Sequence, residues 1–152
     1  MTTFHIVPYG GRALWVLVVV VLAVLAAGGS VLLGSARGAR SSQFEVTPAG
    51  LRIIGDLYGR TIAAADIRGG ASRVVDLGSE RALAPAARTM GTALPGYRAG
   101  WFRLRNGEKA LLYVTDTHRV VYVPTRLGYS VLLSVTDPDA FVAALRGVAP
   151  GS

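Results

Sequence analysis

From Ala13 to Leu33 the chain reads ALWVLVVVVLAVLAAGGSVLL, 21 residues without a charged side chain. At 1.5 Å rise per residue a helix of this length spans roughly 31 Å, about the hydrocarbon thickness of a bilayer. The Val-rich centre suits a strand in water. In lipid a lone strand leaves its backbone N–H and C=O groups without partners, so a helix is the available conformation. Trp15 stands near one end as an interfacial ring, and Arg12, Arg37 and Arg40 bracket the run. The sequence therefore predicts one transmembrane helix over residues 13–34, behind a short tail at 1–12.

Three other readings of the run fit less well. A cleaved signal peptide has an apolar centre of about 7 to 15 residues behind a basic start. Here the apolar run is longer and the first eleven residues, MTTFHIVPYGG, carry no Lys or Arg, although Gly34-Ser35-Ala36 has the small residues of a cleavage site. A core helix of a water-soluble protein keeps a polar face, which this run lacks. A hairpin bent at Gly28-Gly29 is too short to cross twice. Ala26, Ser30 and Gly34 recur every fourth residue, a small-residue ridge of the kind that lets two helices approach closely, although small residues are common in membrane helices in any case.

Charge sets the expected orientation. Arg37 and Arg40 follow the run, with Arg52 and Arg60 beyond, against Arg12 and the terminal amine before it. The positive-inside rule then puts the C-terminal part in the cytoplasm, as a single-pass protein of the cell membrane. The formal net charge is +7, but thirteen of the sixteen basic residues and all nine acidic ones lie after residue 42. The excess there is four, and its arginines are scattered singly. Nucleic-acid binding needs a dense basic stripe and is not expected. With no cysteine, disulfides, thiolate metal sites and thiol nucleophiles are excluded.

Residues 35–42, SARGARSS, are small, polar and basic and read as a linker. Beyond them short β-like runs alternate with turn residues. Strands are expected at Phe44–Thr47, Leu51–Ile54, Arg60–Ala64 and Val74–Leu77, with a turn at Thr47-Pro48-Ala49-Gly50. Ser79–Met90 is Ala-rich, contains Pro85 and reads mostly as a connection. Trp101–Arg105 alternates, with Trp101, Arg103 and Arg105 on one face and Phe102 and Leu104 on the other. Asn106-Gly107 signals a hairpin into Lys109–Thr115, because both residues accept positive φ. Further strands follow at Arg119–Val123 and Tyr129–Val135. Thr136 or Asp137 then caps a helix with Pro138 in its first turn, stopped by Gly147, before a tail at 148–152.

The sequence holds no recognisable catalytic motif. The two histidines, His5 and His118, lie far apart in sequence and lack the clustered partners of a zinc site. Neither G-x-S-x-G nor G-x-x-x-x-G-K-[ST] occurs. Asp56 with Asp66 falls at turns, and Asp137 with Asp139 falls where acidic residues favour a helix start. A non-enzymatic protein with no cofactor and no metal is expected. The remaining candidates are the basic-aromatic group Arg98, Trp101, Arg103 and Arg105, with Arg37 and Arg40 at the membrane, for contact with an anionic lipid or an acidic peptide.

The segments FEVTPAGLRIIGDLYGRTIAAADI, GTALPGYRAGWFRLRNGEKALLYVTDTHRVVYVPT and DPDAFVAALR resemble the bacterial pleckstrin-homology (PH) domain family that follows N-terminal membrane helices. The resemblance covers residues 43–146, within an expected domain at 43–147. It implies a mainly β fold, a bent sandwich or partial barrel of about seven strands capped by a C-terminal α-helix and preceded by the transmembrane helix. Phosphoinositide-binding relatives carry a basic cluster on the first hairpin. Here Thr47–Arg52 offers only Arg52, so that headgroup site is not carried over. The expected role is a membrane-anchored interaction module for a protein or peptide partner, or for a second copy of itself as a homo-oligomer. The alternative is a lipid or small-ligand binding domain.

Overall fold

The computed structural model describes residues 18–23, 42–55 and 57–150. Two units divide the chain, Met1–Arg37 and Gly38–Ser152, and each is taken by itself. In the first, residues 18–23 are helical, with Val18 to Leu22 exposed. The rest of the expected transmembrane span lies outside the described residues, as do Arg37, Arg40 and Asp56. Among the described residues no helix is long and apolar enough to cross a membrane.

The second unit holds two sheets. Strands β1 (Gln43–Thr47), β2 (Gly50–Ile54) and β3 (Arg60–Ala63) form an antiparallel meander. Six strands make the second sheet: β4 (Arg73–Val75), β5 (Pro85–Leu94), β6 (Tyr97–Leu104), β7 (Lys109–Val114), β8 (Val120–Pro124) and β9 (Ser130–Leu133). Their spatial order is β4-β8-β9-β7-β6-β5, antiparallel except where β7 lies parallel to β9.

This sheet is buried on both sides at its centre, which is why β7 and β9 read as continuous apolar runs rather than alternating ones. On the inner face Leu111, Tyr113, Val121, Val123, Val131 and Leu133 pack with Leu51, Ile53 and Ile62 of the meander and Val142 and Leu145 of the C-terminal helix. On the outer face Leu112, Val114, Val120 and Leu132 join Phe102 and Leu104 beneath Val75, Leu77 and Leu83. The link between β4 and β5 thus folds back as a lid over the outer face. Fully burying one such Leu or Val contributes about 1.5–3 kcal/mol.

The described residues therefore form nine strands where about seven were expected. Ser79–Met90 is not mainly a connection: after a 3-10 turn at Arg81–Leu83 it becomes the long strand β5. Ala86, Ala87 and Gly91 have little β preference, and register shifts between Pro85 and Ala87 and between Arg88 and Met90 break the alternation that would have revealed it. The β5–β6 turn is Pro95-Gly96, with Gly96 at φ +77°. At Asn106-Gly107 the hairpin forms as expected, but only Gly107 has positive φ (87°). Its N–H bonds Leu104 O at 3.0 Å and Leu104 N–H bonds Glu108 O at 2.8 Å, giving a longer loop with one left-handed residue.

The C-terminal helix runs Pro138–Val148. The Asp137 carboxylate accepts the Ala140 N–H at 3.1 Å, which makes Asp137 the cap. Gly147 lies inside the last turn rather than ending it, and the Ala149 N–H closes the helix on Leu145 O at 2.9 Å. Gly69 is buried beneath that end. A Cβ there would stand 2.0 Å from Ala149 O, so only glycine lets the loop and helix approach this closely.

Candidate interaction surface

Strand β6 carries Arg98, Trp101 and Arg103 of the residues singled out in the sequence, and its register sorts them. Arg98 to Arg103 pair with Val114 to Lys109 of β7 without a break, so alternate residues keep to alternate faces. Ala99 and Trp101 belong to the inner core and Phe102 and Leu104 to the outer one. Arg103 therefore shares the inner face with Trp101. Arg98 lies on the opposite face, and Arg105 lies beyond the strand end in the turn. The expected group of four is reduced to Trp101 and Arg103.

Three residues the sequence reading missed complete the group. Arg60 of β3 places its guanidinium carbon 4.6 Å from the Trp101 ring centre and 5.8 Å from that of Tyr129. Lys109, directly across from Arg103, sets its ammonium 4.4 Å from the Trp101 ring. Tyr129 meets Trp101 edge to face, with ring centres 4.9 Å apart at 83°. A cation over a tryptophan face is held by about 0.5–2 kcal/mol depending on exposure. The only sequence signal was the lone lysine opposite Arg103 in a hairpin register; nothing local could have brought Arg60 from the other sheet.

Acidic neighbours are engaged elsewhere. Glu108 precedes Lys109 in the chain and so points to the outer face. There it accepts the Tyr122 hydroxyl at 3.1 and 3.2 Å and the hydroxyl of the buried Ser130. Burial raises the Tyr122 phenol above its ordinary pKa. Among the described residues the carboxylates form ion pairs with Arg52, Arg73, His118 and Arg119, and none with Arg60, Arg103 or Lys109.

Beside this group lies a shallow depression of about 420 Å³ lined by Thr89, Met90, Trp101, Phe102, Arg103 and Lys109. Met90 is 63 % exposed, large for an apolar side chain on a strand. Thr89 donates its hydroxyl to Trp101 O at 3.0 Å and falls between the register pairs, at a bulge. Strand β5 ends the sheet. Residues 86–90 are exposed, and among the described residues β5 pairs with β6 alone.

Of the carboxylate pairs considered for acid–base work, Asp137 and Asp139 have other partners, while Asp56 lies outside the described residues. Asp137 caps the helix, and Asp139 takes the Arg119 guanidinium at 2.5 Å. His118 stands 3.3 Å from Asp76 on the surface. Among the described residues no group of three His, Cys, Asp or Glu side chains is placed to hold a metal ion.

Neither a curated protein nor a solved structure matches the chain. Residues 43–149, which include both sheets and the C-terminal helix, match the family described as Bacterial PH domain, and the chain belongs to that family.

Proposed function

We propose that this protein is a membrane-anchored, non-enzymatic interaction module whose PH domain binds a protein or peptide partner, or a second copy of itself, along the open edge of β5. The observation that carries the binding part is that edge: ten residues long, exposed over 86–90 and unpaired on its outer side among the described residues. An extended segment added there completes the backbone hydrogen bonds that β5 leaves to water, while neighbouring side chains select its sequence. The anchor rests on the uncharged run 13–33. Arg37 and Arg40 would meet the lipid headgroups, and the positive-inside rule favours a cytoplasmic domain in the cell membrane. No cofactor is invoked.

Two experiments test the two halves. Full-length chain is expected to remain with membranes after alkaline carbonate extraction, and a chain lacking residues 13–33 to be released. Release of the intact chain would overturn the anchor. A C-terminal tag should resist protease in intact cells; its digestion would reverse the orientation. For binding, Thr89→Pro removes one β5 N–H at a position the β6 register skips and fixes the strand there. Loss of partner capture with retention in the membrane is expected, and unchanged capture would count against the β5 edge.

A further inference from the structure

We infer that the partner taken by the β5 edge is an acidic extended segment, whose carboxylates are held by Arg103 with Lys109 and Arg60 around Trp101. This rests on the edge reading above and adds the chemistry that reads the partner.

Arg60 and Lys109 each stand under 5 Å from one indole centre, so the two charges lie within about 9 Å of each other. Arg103 faces Lys109 across the ladder, where opposed side chains start about 5 Å apart and like charges repel. Among the described residues no carboxylate offsets any of the three. The nearest in sequence, Glu108, is committed to Tyr122 and Ser130 on the far face. Three convergent cations with no counter-ion among the described residues leave a local positive potential that an anion lowers.

The surroundings favour a peptide over a lipid surface. The cations lie beside a depression and a free strand edge, and Arg88 is exposed on that edge itself. Strands pair about 4.8 Å apart, so an added strand would lie about 10 Å from β6. Ala87 is the β5 residue opposite Arg103, so a Glu side chain from that strand and Arg103, whose guanidinium also donates to Gly107 O at 2.8 Å, would span such a gap over a small side chain. Lys109 and Arg60 lie further in and add attraction within about one Debye length.

The test uses full-length chain in phosphatidylcholine nanodiscs with Trp15→Phe, so that Trp101 is the one fluorescent indole. Ten-residue Glu-Val and Gln-Val repeat peptides are titrated, since both present one polar and one apolar face as strands. The Glu-Val peptide should bind at least about tenfold more tightly at low salt, a difference of about 1.4 kcal/mol. The double variant Arg103→Glu/Lys109→Glu should abolish that preference, and Arg103→Gln/Lys109→Gln should reduce it without adding charge. Each variant's thermal melt checks folding. Equal binding of both peptides, with Thr89→Pro removing both, would overturn the acidic preference and leave the edge reading standing. Binding of neither peptide would overturn the proposal, as would a Trp101 response to added phosphatidylglycerol vesicles with none to peptide.

Discussion

The two edges of the six-stranded sheet are treated very differently. At one end β4 has only three residues. The C-terminal helix packs along it and Arg146 donates to Ser72 O at 2.9 Å just before it. The Arg73 guanidinium grips Glu80 through two bonds of 2.7 and 2.6 Å and lies 5.8 Å from the Tyr122 ring. At the other end β5 runs ten residues, is exposed over 86–90, and is interrupted by Pro85 and two register shifts. A free edge is an aggregation hazard that folds usually shorten, cover or charge. Among the described residues one edge is short and covered; the other is long and uncovered, next to cations without a carboxylate partner and an exposed Met90. The contrast is what a binding edge requires.

The largest way to break that contrast is to remove the long edge. Gly91 and Gly100 face each other across β5 and β6, and Gly100 has φ +117°. A Cβ on Gly100 would stand 2.5 Å from Met90 O and 2.6 Å from Gly91 Cα. Gly100→Val is therefore expected to cost about 3 kcal/mol or more in urea denaturation, with β5 amides losing hydrogen-exchange protection first. A smaller effect uncovers the short edge. Arg146→Ala removes the bond to Ser72 O and should cost about 1 kcal/mol, with faster exchange at β4 and none at β5.

How legible these edges were in the sequence differs in the same way. The short strand β4, the covered strands β7 to β9 and the capped helix follow from apolar runs, turn residues and the Asp137-Pro138 start, all of them local signals. Strand β5 was missed because its small residues and bulges give no period. The site was half legible: alternation put Trp101 and Arg103 on one face, and the β6–β7 hairpin placed Lys109 beside them. Arg60 reaches the indole from the other sheet, and no local pattern encodes a contact between sheets. Arg98 failed because it is an odd number of residues from Trp101, and Arg105 because the strand ends before it.

Two finer tests sharpen the contrast. Glu80→Gln breaks a largely exposed pair beside β4 and should cost under about 1 kcal/mol, less in high salt. The smallest effect is with pH. The Gly78 N–H and then His118 hold the Asp76 carboxyl below its ordinary value, and Arg73 does the same for Glu80. A depressed folded pKa contributes stability above the unfolded value and loses it as pH falls through the folded one. The denaturation midpoint should therefore decline as pH drops below about 4, and decline less in Asp76→Asn and Glu80→Gln.

The most direct test asks which edge meets a partner in the membrane. A photo-crosslinking residue is placed at Met90 on β5 or at Arg73 on β4 in otherwise intact chain, irradiated in native membranes, and the joined peptides are identified by mass spectrometry. We expect Met90 to join a single acidic, extended segment of a partner or a second copy, and Arg73 to join none. Capture from Arg73 alone, or equally from both positions, would contradict the account.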